Sequence, residues 1–130
     1  MAYEPSILIV EDDASVRKYF ERVLSEDGYC ITSVATGRHG LLVARDTAFD
    51  LAIVDMSLPD LDGPNLIREI MAEFPDIKAI ASSGAMEEQM RNLARIAGAA
   101  SVFQKPITPR NLRKVVYAAL DPSYSWRGTA

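Results

Sequence analysis

Five short apolar runs rich in β-branched residues alternate with helical patterns along the chain, and this alternation restricts the fold more than any other feature. The runs are Ile7 to Val10, Tyr29 to Val34, Leu51 to Val54, Ile77 to Ala81 and Ala100 to Phe103. Their unbroken apolar character suits strands of a parallel sheet covered on both faces. The intervening stretches switch to a helical period. Val16, Tyr19, Phe20, Val23 and Leu24 form one helical face, with Asp13 placed as its cap and Gly28 as its stop. Leu41, Leu42 and Ala44 indicate a second, shorter helix, and Pro64 opens a third whose inward residues are Leu66, Ile67, Ile70, Met71 and Phe74. A fourth spans about Glu87 to Ala97, stopped by Gly98, and Thr108 with Pro109 starts a fifth that buries Leu112, Val115, Val116, Ala119 and Leu120. Five βα units in strict succession predict an α/β fold with one doubly wound parallel sheet, in which ligands bind beyond the carboxyl ends of the strands.

Composition narrows the function classes. The 130 residues are 48% hydrophobic and 25% charged, which fits one domain over residues 1–122 and a C-terminal tail or linker start over 123–130 that holds Trp126. The net charge of -4 and the lack of a Lys/Arg stripe argue against direct nucleic-acid binding. Cys30 is the single cysteine, so no internal disulfide forms, and its apolar strand predicts a core position. There is no basic stretch ahead of an apolar segment and no apolar run of membrane-spanning length, so a cytoplasmic protein without membrane insertion is expected.

The polar residues at the strand ends carry the chemistry. Glu11, Asp12 and Asp13 follow the first strand, Asp55 ends the third, Ser82, Ser83 and Gly84 end the fourth, and Lys105 and Pro106 follow the fifth. Each pair of carboxylates about 5 Å apart repels by roughly 3 kcal/mol at an effective dielectric near 20, so the cluster calls for a cation, protonation or separation. Oxygen ligands from Asp12, Asp55, a backbone carbonyl and water suit Mg²⁺, with room left for a phosphate oxygen. Singly, these residues also read as a helix cap, a turn residue and a surface lysine. Together they place acids, a hydroxyl and an ammonium where a phosphate needs all three.

The motifs ILIVEDD, IVDMSLPDLDG, the pair Ser83-Gly84 and AGAASVFQKP, in that order, resemble the response-regulator receiver domains of bacterial two-component signalling, in particular stand-alone, chemotaxis-type receivers. The resemblance runs from about Ser6 to Leu120. It implies a flavodoxin-like strand order of 2-1-3-4-5. It also implies a phosphorylation-switched signalling domain rather than an enzyme acting on a separate substrate. Carried across by position, Asp55 is the phosphoacceptor, Asp12 the direct metal ligand, Glu11 a ligand through water, and Ser57 a ligand through its backbone carbonyl. Ser83 is the hydroxyl that reorients toward the phosphoryl group, Lys105 the cation that pairs with it, and Pro106 follows a cis peptide bond. The implied cofactor is Mg²⁺, with Mn²⁺ as a substitute. The implied donor is a phosphohistidine on a histidine kinase or phosphotransfer protein. The output partner is unnamed, with the region of Arg110, Arg113, Lys114 and Tyr117 as its expected surface, and a weak homodimer is compatible with the family. The chain departs from the family at Val102, where an aromatic switch residue is usual, with Phe103 on the opposite strand face.

Two other function classes compete. A haloacid-dehalogenase-type phosphatase also uses an aspartate at a strand end with Mg²⁺, but it requires a second acid two residues later, where this chain has Ser57. A receiver-like interaction module that works without phosphorylation is favoured by Val102 and opposed by the intact set of Glu11, Asp12, Asp55, Ser83 and Lys105. No Gly-rich nucleotide loop is present. His39 is expected to face solvent, Asp60 to Gly63 to form a tight turn rather than a calcium loop, and Asp46, Asp50 and Asp76 to serve the ends of elements.

Overall fold

The computed structural model describes residues 4–85 and 87–121. The tail over 123–130, with Trp126, lies outside them. The strands are β1 (Ser6–Val10), β2 (Cys30–Val34), β3 (Leu51–Asp55), β4 (Lys78–Ser83) and β5 (Ser101–Gln104). The helices are α1 (Ala14–Glu26), α2 (Gly37–Asp46), α3 (Gly63–Glu73), α4 (Glu88–Ala97) and α5 (Pro109–Leu120). All strand pairings are parallel and the order is β2-β1-β3-β4-β5, the expected flavodoxin-like arrangement.

Local signals account for most boundaries. The Asp13 carboxylate accepts from the Ser15 and Val16 amides at 2.9 and 3.2 Å, Thr36 Oγ1 from His39, Asp62 Oδ1 from Asn65 and Thr108 Oγ1 from Asn111, so four helices start on side-chain caps. Pro64 and Pro109 occupy first-turn positions, where a missing N–H costs nothing. Helix α4 closes on Gly98 in the left-handed region, φ 111°, which a residue with a Cβ rarely adopts.

Strand alternation divides the core into two layers. Leu8, Val10, Ala52, Val54, Ala79, Ala81 and Val102 face α2, α3 and α4 through Leu41, Leu66, Ile67, Ile70 and Ala94. Ile7, Ile9, Leu51, Ile53, Ile80 and Phe103 face α1 and α5 through Phe20, Val23, Leu24, Leu112 and Val116. Phe103 meets Phe20 edge-on with centroids 5.8 Å apart. Val102 and Phe103 therefore do point to opposite faces, both fully buried.

One expectation fails. Cys30 is exposed rather than in the core, because β2 is an edge strand and only Val34 on it is buried. Leu42 is 62% exposed, since the inward stripe of α2 is Gly37, Gly40, Leu41 and Ala44. A helix of ten residues with two small inward glycines packs closely on β1: a Cβ on Gly40 would lie 2.9 Å from a Val10 methyl. Among the described residues no helix is long and apolar enough to cross a membrane.

Candidate functional site

The carboxyl ends of β1, β3, β4 and β5 converge as the loop chemistry requires. Glu11 follows β1 and is 1% exposed; Asp55 is the last residue of β3 and is 3% exposed; Asp12 is open to solvent. One oxygen from each lies within 4.8 Å of the others, so the three carboxylates can share one hard cation. The Lys105 ammonium lies between the two buried acids. Its Nζ donates to Glu11 Oε1 at 2.8 Å and stands 3.4 Å from Asp55 Oδ1. The peptide bond from Lys105 to Pro106 is cis.

Burial pushes the Glu11 carboxyl up to about 7, against the hydrogen bond from Lys105, which pulls it down; the proximity of Asp55 adds to the rise. Burial alone would lower Lys105, but its partners Glu11 and Asp55 hold the ammonium above the ordinary lysine value. The site thus keeps one fixed cation and two acids in competition for it. A divalent cation held by the three carboxylates would relieve the repulsion among them.

Backbone groups set the rest of the geometry. The Ser57 amide donates to Asp55 Oδ1 at 3.0 Å, and Met56 N donates to Ser82 O, so the turn after β3 is tied both to the Asp55 carboxylate and to β4. Gly63 N donates to Met56 O, and a Cβ on Gly63 would sit 2.4 Å from Met56 Cα. Only glycine permits that approach. Ser83 is buried, and its hydroxyl is engaged by the loop that follows: Oγ donates to Ala85 O at 2.7 Å and accepts from Ala85 N at 3.1 Å. Asp13, as expected, is a cap alone.

Some groups around the site were not singled out as partners in the sequence. Arg17 Nη1 donates to the Glu11 carbonyl at 2.8 Å, holding the acidic turn from the first turn of α1. Asp60, read as part of a tight turn, accepts from the Gly37 and Arg38 amides, each at 2.9 Å, and so ties the loop after β3 to the start of α2. These two amides hold the Asp60 carboxyl below its usual range. A contact across 22 residues has no local signature. On α5, Arg110, Lys114 and Tyr117 are exposed, Tyr117 by 75%, whereas Arg113 is paired with Glu26 and Asp27 of the α1 end.

Comparison with known proteins agrees with this geometry. Residues 7–117 match the family model described as response regulator receiver domain. The sensor kinase CckA of Brucella abortus is 33% identical over 119 residues, 89% of this chain and 12% of that protein. The KDP operon transcriptional regulatory protein KdpE of Escherichia coli is 33% identical over 115 residues, 88% of this chain and 51% of that protein. The chain therefore spans about half or less of these curated relatives. Among solved structures, a CheY-like response regulator receiver domain protein from Methanospirillum hungatei superposes with a TM-score of 0.87 at 30% identity, covering 92% of this chain and 95% of that one. The Vibrio cholerae chemotaxis protein CheY4 shares the fold with the same TM-score at 22% identity. On sequence, topology and the placement of its strand-end residues, this chain belongs to the response regulator receiver domain family of two-component signalling.

Proposed function

We infer that this domain, a phosphorylation-switched signalling module by family, accepts its phosphoryl group on Asp55 with Mg²⁺ held by Asp12, Asp55 and the Ser57 carbonyl, and by Glu11 through water. The observation that carries the reading is the Lys105 ammonium reaching Glu11 and Asp55 at once, beside the exposed Asp12, so that nucleophile, fixed cation and oxygen donors share one mouth. The donor set is all oxygen and partly solvated, which fits Mg²⁺ or Mn²⁺ and not a thiophilic metal. When bound, the metal supplies charge neutralisation for the transferring group. The protein's own residues do the remainder. Asp55 attacks phosphorus as a carboxylate; the phosphorus–nitrogen bond of a phosphohistidine breaks as the phosphorus–oxygen bond forms, its electron pair stays on the ring nitrogen, and the imidazole leaves neutral with the proton already carried on its other nitrogen or one taken from solvent. Lys105 exchanges part of its contact with Glu11 for a phosphoryl oxygen.

The acyl phosphate then competes for the Ser83 hydroxyl, now bonded to Ala85, and drawing it inward moves the loop that leads into α4. Val102 is buried and stiff, so output passes through that backbone shift rather than an aromatic rotamer. The donor is a histidine kinase or phosphotransfer protein, and the exposed Arg110, Lys114 and Tyr117 offer the output surface. The receiver unit is assigned to residues 1–122, in the cytoplasm, with 123–130 as a tail or the start of a linker. Incubation with Mg²⁺ and acetyl phosphate tests the assignment: intact-mass spectrometry should show one added phosphoryl group, absent in Asp55→Asn. Persistence of the added mass in that variant would place the acceptor elsewhere.

A further inference from the structure

A buried hydroxyl in a sheet normally has a hydrogen-bond partner. Among the described residues two strand hydroxyls have none, Ser82 Oγ and Ser101 Oγ, and both residues are 1% exposed. Their surroundings differ. Ser101 is in register with Ile80, inside the apolar layer under α1 and α5. Ser82 is in register with Asp55 on one side and Phe103 on the other. Residues in register on parallel strands share a face, and Ile53 and Ile80, two positions before Asp55 and Ser82, do lie in one layer with Phe103. The orphan hydroxyl of Ser82 is therefore the lateral neighbour of the Asp55 side chain. Adjacent strands are about 4.8 Å apart, and a serine hydroxyl swings on a single torsion, so a change of rotamer carries it toward the carboxylate.

We propose that Ser82 is a positioning residue whose hydroxyl hydrogen-bonds the Asp55 carboxylate as it is released from its phosphoryl group. This rests on Asp55 being the acceptor. In hydrolysis a water oxygen attacks phosphorus, the bond between phosphorus and the Asp55 oxygen breaks, and its electron pair returns to the carboxylate; inorganic phosphate carries away the water's protons. Negative charge thus grows on Asp55 oxygen through the transition state. A hydroxyl donating to it is stronger there than on the acyl phosphate, a mixed anhydride in which that electron pair is held in the bond to phosphorus. The hydroxyl transfers no proton. It shortens the lifetime of the phosphorylated state, and Ser82 thereby sets how long the signal lasts.

The test is the decay of phosphorylated protein, made with acetyl phosphate and Mg²⁺, followed by intact mass in the wild type, Ser82→Ala, Ser82→Thr and Ser101→Ala. Loss of one charge-assisted hydrogen bond should lengthen the lifetime in Ser82→Ala by roughly three- to tenfold. Ser82→Thr keeps the hydroxyl and should decay at the wild-type rate to within about twofold. Ser101→Ala removes an equally buried orphan hydroxyl away from the acid and should leave the lifetime unchanged. Thermal unfolding of each variant separates a shifted lifetime from a shifted fold. Equal lifetimes for wild type and Ser82→Ala, or equal lengthening in Ser101→Ala, would overturn the role of Ser82 while leaving Asp55 as acceptor. Failure of the wild type to take up phosphate would overturn the acceptor assignment and this inference with it.

Discussion

The bodies of the strands and their carboxyl ends obey opposite rules. Along the bodies, Ile7 to Val10 and Leu51 to Val54 are almost fully excluded from solvent, and every one of these side chains is apolar. Such burial stabilises by about 1.5 to 3 kcal/mol per large side chain. One residue further along, Glu11 and Asp55 are equally buried but charged or chargeable, with Ser82 and Ser83 beside them. These groups cost desolvation that Lys105 only partly offsets. The difference shows that the fold's stability and its chemistry are drawn from adjacent positions of the same strands, so each can be cut without the other.

The sharpest way to break the comparison is to truncate each region in turn. Ile53→Ala should destabilise the domain by about 2 to 5 kcal/mol in chemical denaturation, because it leaves a cavity in a layer shared with Phe20 and Phe103. Asp55→Asn, two residues on, should leave metal-free stability equal or higher, since it removes one of the mutually repelling carboxyls. Comparable losses would show that the strand ends stabilise the fold as the bodies do.

A smaller effect is expected at Val102, which is fully buried on the face of α2, α3 and α4. Val102→Tyr should cost about 1 to 3 kcal/mol by overpacking, measured by denaturation, and should change the environment of α4 by amide NMR more than it changes phosphorylation of Asp55. An unaltered α4 would disconnect this strand position from the output surface.

A further consequence is on pH dependence. Glu11 is raised from 4.5 to about 7 in the fold, so its contribution favours the native state at low pH and is lost as pH rises through 7. Without divalent cations, the unfolding temperature should fall between about pH 5 and pH 8 in the wild type, and the fall should be shallower in Glu11→Gln. A parallel profile for both proteins would mean that Glu11 ionises normally.

Legibility in the sequence follows the range of the interaction. Helix starts at Asp13 and Thr108 are decided within three residues, and the helical and strand periods are read in a single window. The gathering of Glu11, Asp12, Asp55 and Lys105 was also legible, because a parallel sheet brings all strand ends to one edge. Cys30 misled because its neighbours are apolar while its exposure depends on β2 lying at the edge. The partners of Asp60 were not legible because they belong to α2, and Ser82 gained meaning only once the β3 to β4 register set it beside Asp55. Those placements are properties of pairing between distant segments, which no local pattern records.

If the acids at the strand ends cost stability that a divalent cation restores, the unfolding temperature with and without Mg²⁺ measures it directly. A ligand bound only by the native state at about 100 times its dissociation constant adds about 2.7 kcal/mol. Saturating Mg²⁺ should therefore raise the unfolding temperature of the wild type by several degrees and leave Asp12→Ala nearly unmoved; no rise in the wild type, or an equal rise in both, would contradict a metal site at Glu11, Asp12 and Asp55.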